Sequence, residues 1–345
     1  MGARKSMKVI KVRNVNDAFI MGLHYLQKEG VERDSRNGKV LVAPEPVCTV
    51  YLNPKERVLF NITRDANPFF HLYESIWMLA GRRDVKSLTN FVARMEEFSD
   101  DGTTFHAAYG YRWRNQFKVQ DNSLADFAED TSLDTSDQIS KIIEILKNNK
   151  DDRRAVLQIW DAHLDLGKQS KDIPCNLTVH FQVSAENKLD MTVFNRSNDI
   201  IWGCYGANVV HFSFLQEYVA YKTSYEIGRY YQISDNYHAY LSTLEKVKDE
   251  KTISDPYSGP SAPRVVGVDF STDECLKFIR EVRPESMYSN FNFNSVFLRE
   301  VALPMTLSYY HYKKGDKRLA QDTLLKMIAG VDWKIAGLEW LGRRK

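Results

Sequence analysis

Cys175 and Arg196 are the residues from which chemistry is read most directly. Cys175 stands at the entry of an alternating apolar run, in Ile173-Pro174-Cys175-Asn176, and a second run ends in Asn195-Arg196-Ser197-Asn198-Asp199. If the two runs form a hairpin, an arginine near the thiol would favour thiolate, the nucleophilic form. The plain alternative is a small buried hydrophobe, as most free cysteines are. Sequence separation permits the contact and leaves both readings open. Cys48, Cys175, Cys204 and Cys275 contain no C-x-x-C pair, so neither a zinc knuckle nor a disulfide framework is suggested and no metal is expected. A reducing cytoplasm is the expected setting, with one working thiol among the four.

These residues need strands and helices to position them. Leu177, Val179, Phe181 and Val183 alternate with polar residues, and after a turn at Ala185-Glu186-Asn187 so do Leu189, Met191 and Val193. That pattern predicts a hairpin. Upstream, a helix is expected at about 16–28, a polar turn at Glu32–Gly38, and extended chain through Tyr51. Phe69, Leu72, Tyr73, Ile76 and Leu79 recur at helical spacing between Pro68 and Ala80, and Gly81 stops that helix. Residues 119–137, acidic and rich in Ser and Thr, read as a surface insertion before an amphipathic helix bearing Ile139, Ile142, Ile143 and Leu146. Helical spacing returns over 208–222, strand-like sequence over Glu226–Ile233, and helical spacing again over 236–248. Without regular βαβ alternation, the class expected is α+β.

The 345 residues suit one large domain or two ordinary ones, and 43% hydrophobic against 27% charged residues is a globular balance. A formal net charge of +2 is too small for a nucleic-acid coat or a membrane-seeking surface, so any anion site must be local. No stretch has the length of a membrane span, and MGARKSMKVIKVRN lacks the apolar core of a signal peptide, so a soluble, unexported protein is expected.

Six segments in order, HLYESIWMLAG, AAYGYRWRNQ, DRRAVLQIWD, IPCN with HFQV, NRSND with WG, and DNYHAY, resemble the thymidylate synthase and pyrimidine-nucleotide hydroxymethylase family from about Arg36 to Tyr240. Residues 250–345 match less clearly. The resemblance implies a single catalytic domain over 1–345, a large mixed β-sheet covered by helices, and a homodimer formed through the sheet. It also implies transfer of the one-carbon unit of 5,10-methylenetetrahydrofolate to carbon 5 of a pyrimidine nucleoside monophosphate. That carbon becomes nucleophilic only after a thiolate adds to carbon 6.

By this resemblance Cys175 is the nucleophile, Glu74 organises water and proton transfers, and Tyr109 helps remove the carbon-5 proton. Arg36, Arg196 and Ser197 would hold the phosphate from the same subunit, and Arg153 and Arg154 would reach the neighbouring site. His238 and Tyr240 would meet the sugar hydroxyl, their tips facing one way if the backbone there is extended. Trp77, Asp199 and Gly203 fall on the folate side, with Asp199 toward the pterin. Asn208 would read the base if one residue is inserted in Gly203–Asn208; its amide suits uracil, whereas a carboxylate would suit cytosine.

Four departures from the methylating pattern favour hydroxymethylation by water over hydride transfer. Phe91–Phe98 contains no tryptophan, Asn198 stands where synthases usually carry cysteine, and Trp340–Lys345 lacks their small apolar tail. Asn176 also replaces the common histidine. Phe98, Trp202 or Trp333 are the aromatics that could rebuild a water-excluding wall. The favoured expectation is a deoxyuridylate, or deoxycytidylate, 5-hydroxymethylase in the cytoplasm, a host's if the source is viral. Thymidylate synthesis and a non-catalytic nucleotide binder are the alternatives, with no nucleic-acid or membrane partner.

Overall fold

The computed structural model describes residues 6–117, 137–247, 256–258 and 265–344. Their frame is an eight-stranded mixed sheet, and the class is α+β as expected. β1 (Lys8–Val12), β4 (Val47–Tyr51), β8 (Glu226–Tyr240), β7 (Lys188–Asp199), β6 (Asn176–Val183) and β5 (Val156–Gln158) lie side by side in that order. A hairpin of β2 (Val31–Ser35) and β3 (Gly38–Val42) joins through β3, which pairs antiparallel with the end of β8. The proposed insertion at 119–137 lies outside the described residues except for Asp137.

Period-two patterning builds the β6–β7 hairpin as the sequence predicts. Val179, Phe181 and Val183 face Leu189, Met191 and Val193 on one buried side, while Thr178 and Thr192 turn to the other. The helix Val209–Thr223 packs on β7 and β8, and the helix Pro68–Leu79 packs on it in turn. Asn67 caps the latter by accepting the Phe70 N–H at 3.1 Å, with Pro68 in the first turn. The helix Val15–Glu29 covers β1, β3 and β4. Among the described residues no helix is long and apolar enough to cross a membrane.

Two elements differ from expectation. Glu32–Ser35 is a fully exposed strand rather than part of a turn, and only Arg36-Asn37 turn the chain before Gly38, whose φ of 113° requires glycine. Residues 236–240 continue β8 instead of starting a helix, and helix follows only over Leu241–Leu244. The reason is pairing on both sides: Ser197, Asn198 and Asp199 run parallel to Asn236, Tyr237 and His238, and Val40–Val42 pair with Tyr240–His238.

Gly110 governs how the Tyr109 segment seats against the helix carrying Glu74. A Cβ there would lie 2.1 Å from the Met78 carbonyl oxygen and 2.4 Å from its Cα. Backbone atoms cannot swing aside, so Gly110→Ala is expected to cost about 1–3 kcal/mol. A lower urea midpoint at unchanged slope checks this; an unchanged midpoint would show that the two segments separate freely.

Candidate active site

Cys175 sits immediately before β6, where the open end of the hairpin is held by Arg196. The Arg196 N–H donates to the Cys175 carbonyl at 2.9 Å, its Nε–H to the Pro174 carbonyl at 2.8 Å and Nη2 to the Ile173 carbonyl at 3.3 Å. Nη2 then lies 3.9 Å from the thiol. The guanidinium is fixed beside the sulfur by the carbonyls of the residues that precede it. Burial nonetheless dominates and pushes the thiol above its ordinary value, with Arg196 and Arg36 opposing and Asp172 and Asp199 adding to the rise. The expected depression of the thiol by arginine is therefore outweighed in the free protein.

Tyr109 approaches from the other side, accepting the Cys175 N–H at 3.4 Å, and burial pushes its phenol well up. Asp199 ends β7 and caps the next helical segment, its Oδ1 accepting the Ile201 N–H at 2.7 Å and the Trp202 N–H at 3.2 Å. Its Oδ2 is buried without a partner among the described residues. Burial raises this carboxyl, against the Ile201 and Trp202 N–H groups, His238 and Arg64.

Ile200–Asn208 is wound as a π-helix that runs into the helix Val209–Thr223. Asn208 Nδ2 donates to Asn198 Oδ1 at 3.1 Å, and Asn198 Nδ2 donates to Ser234 Oγ at 2.9 Å. The Asn208 amide is thereby turned to leave its oxygen and one N–H for a ligand. Gly203 gives this pair room: a Cβ would stand 3.2 Å from Asn198 Oδ1 and 3.3 Å from Asn208 Nδ2.

These residues converge on a cleft of about 590 Å³, which Cys175, Tyr109, Arg196, Asp199, Asn208 and His238 line. Arg36, Ser197, Gly203 and Tyr240 also reach it. His238 and Tyr240 point the same way from β8, their rings 5.7 Å apart and edge to face. Sequence reasoning did not assign roles to Asn37, Trp160, Lys171 and Asp172, which share the lining. Asn37 and Asp172 lie one and three residues from assigned positions, a signal that proximity alone could have supplied, and Trp160 stands in the DRRAVLQIWD segment, which was read only for its arginines.

Four assigned residues stand off this lining. Glu74 is buried and does not line it, with Oε2 3.0 Å from His211 Nε2 but off the line of a good hydrogen bond. Trp77 is a correction: it is 1% exposed, its indole N–H donates to Asp84 at 3.3 Å, and its ring packs edge-on against Phe105, so it belongs to the core rather than the folate side. Arg153 and Arg154 are exposed, the latter paired with Asp152 at 2.6 Å, and neither lines the cleft of its own chain. Of the alternative aromatics, Trp333 is buried against Phe214, while Trp202 is exposed beneath the Arg64 guanidinium.

Residues 19–262, more than half of the chain, match the family described as thymidylate synthase. The chain belongs to the thymidylate synthase family. Members of this family act on a pyrimidine nucleotide together with a folate. Within it, the chain is 47% identical over 356 aligned positions to a deoxyuridylate hydroxymethyltransferase of Pseudomonas phage M6, covering 98% of this chain and 95% of the relative. It is 37% identical to a protein of the same name from Bacillus phage SP01, over 69% of this chain and 57% of the relative. A thymidylate synthase of Vesicomyosocius okutanii is 28% identical over 51% of this chain and 61% of its own length.

The raised thiol has a direct readout. In the free protein, alkylation of Cys175 by iodoacetamide should accelerate with pH, with a midpoint above that of an unperturbed thiol. Replacing Arg196 by leucine removes the largest stabilisation of thiolate and should move the midpoint higher still. Peptide mass spectrometry measures both, and full-rate alkylation at pH 7 would contradict the assignment.

Proposed function

We propose that this protein is a deoxyuridylate 5-hydroxymethyltransferase, using 5,10-methylenetetrahydrofolate and water. The observation that carries this reading is 47% identity over 98% of the chain to a relative bearing that name. The cleft supports it with a thiol, three cationic or hydroxyl groups for a phosphate, and an oriented amide in place of a carboxylate. Arg36, Arg196 and Ser197 hold the phosphate, while His238 and Tyr240 take the sugar hydroxyl. Asn208 accepts the ring N–H of uracil and donates to its carbonyl. Asp199 Oδ2, a buried acceptor without a partner among the described residues, fits the N–H-rich edge of a pterin.

Chemistry begins at Cys175, whose thiolate adds to carbon 6 of the uracil and sends electron density to carbon 5. The folate supplies the one-carbon unit that carbon 5 attacks. Tyr109, tied to the Cys175 backbone, is placed to help take the carbon-5 proton, and Glu74 with His211 buffers protons behind the ring. Loss of that proton, with cleavage of the bond between the one-carbon unit and the folate nitrogen and departure of tetrahydrofolate, leaves an exocyclic methylene on the nucleotide. Water then adds to this carbon and the thiolate leaves, giving the 5-hydroxymethyl product without any change in the folate's oxidation level. The absence of tryptophan from Phe91–Phe98 and the burial of Trp77 and Trp333 fit a site that admits water.

Product analysis after incubation with dUMP, dCMP, UMP or CMP and methylenetetrahydrofolate in oxygen-18 water tests substrate and branch together. The expected result is labelled 5-hydroxymethyl-dUMP with tetrahydrofolate released. Unlabelled 5-methyl product with stoichiometric dihydrofolate would return the protein to thymidylate synthesis, and no turnover with retained binding would make it a binder.

Assembly follows from Arg153 and Arg154, which are free of their own cleft. We infer a homodimer, formed through the sheet, in which each subunit lends these arginines to its neighbour's phosphate site. Mixed Cys175→Ala and Arg153→Ala subunits should then recover part of the activity that each homodimer lacks. Verified heterodimers that stay inactive would count against shared sites.

A further inference from the structure

Two carboxylates line the cleft, and the reaction outlined above engages only Asp199. The other, Asp172, lies three residues before Cys175 on the same loop. It is half-buried and anchored by one oxygen: Oδ2 accepts the Ala107 N–H at 2.7 Å, and among the described residues nothing is bonded to Oδ1. Ala107 stands two residues before Tyr109, so one loop-to-loop bond ties Asp172 to the segment that also meets the Cys175 backbone. The carboxylate is thus held by one oxygen at the wall of the cleft.

The cations around it are committed elsewhere. His106 Nε2 lies 2.8 Å from Asp165, and Arg112 grips the same Asp165 with two bonds of 2.6 and 2.8 Å. His106 and Arg112 therefore only partly offset the burial of Asp172, while Asp100 adds to it, and the carboxyl is pushed up to about 6. On the cleft side its titratable neighbours are Cys175 and Tyr109, both of which it makes harder to ionise. A carboxylate in that range is still ionised at neutral pH and is a better proton acceptor than an exposed one.

We infer that Asp172 is the general base that activates the water adding to the exocyclic methylene carbon of the nucleotide. This rests on the hydroxymethyltransferase reading. The water oxygen bonds to the methylene carbon as its proton passes to Asp172 Oδ1, and the electron pair of the carbon–carbon double bond moves into the ring as an enolate. The enolate collapses, the ring double bond re-forms between carbons 5 and 6, and the carbon–sulfur bond breaks with its electrons returning to Cys175. Asp172 then loses its proton to solvent. No oxidant or reductant takes part.

Asp172→Asn separates this step from those before it, because the amide keeps an acceptor for the Ala107 N–H but cannot take a proton. With dUMP tritiated at carbon 5, tritium release should persist within a few-fold of wild type while hydroxymethyl product falls about 100-fold, as expected for loss of a general base. Added 2-mercaptoethanol should capture the stranded methylene as a 5-thioether. Parallel loss of tritium release and product, or unchanged product, would overturn the inference. Wild-type protein gives a second measurement that needs no variant. Its ratio of product to tritium release should fall as pH drops through about 6, where Asp172 protonates, and a flat ratio would also overturn the role. A wild type that makes no hydroxymethyl product at any pH would instead remove the functional reading beneath it.

Discussion

The site depends on how the open end of the β6–β7 hairpin is closed. A strand pair that simply frayed there would leave Cys175 on a wandering loop. Instead Arg196 commits its backbone N–H and two guanidinium N–H groups to the carbonyls of Ile173, Pro174 and Cys175. Charge-assisted bonds of this kind are stronger than neutral ones, and the rigid fork fixes their direction. The thiol, the Arg196 guanidinium and the strand end are therefore one unit. Its position relative to His238 and Tyr240 is set by the parallel register that brings Asp199 opposite His238.

A second layer of order comes from side-chain amides. Ser234, Asn198 and Asn208 form a chain across β8, β7 and the π-helix, and each link is buried. An unpaired buried amide is costly, so the chain holds one arrangement. Asn198, noted in the sequence only as a departure from the synthase pattern, thereby sets which edge of Asn208 a base would meet.

The hairpin strands were legible because one face is buried and the other is not, which stamps period two on 177–193. The end of β8 was not. Ser234-Asp235-Asn236 reads locally as a turn, and only pairing with β7 and β3 makes it strand. Trp77 was misplaced for a related reason: almost every side chain of Pro68–Leu79 is buried, so helical spacing alone gives that helix no outward face on which to seat a ligand contact. Asp172 was hidden in the polar run Gly167–Asp172, where a carboxylate looks like loop solvation until the Ala107 N–H and the cleft wall are seen beside it. The ordered motifs fared better, because Cys175, Arg196, Asp199, Asn208 and His238 come from four separate segments and converge on one cavity.

Burial that holds Cys175 above the ordinary thiol range has its counterpart at Cys48, Cys204 and Cys275, each raised by the same cause. Peroxide and other oxidants attack thiolate far faster than thiol. A chain whose four sulfurs all rest protonated is slow to form sulfenic acid, and none of its cysteines advertises itself to adventitious electrophiles. The Cys175 thiol is kept in a chemically quiet form in the free protein, so its resistance to oxidants comes from the packing of the loop around it.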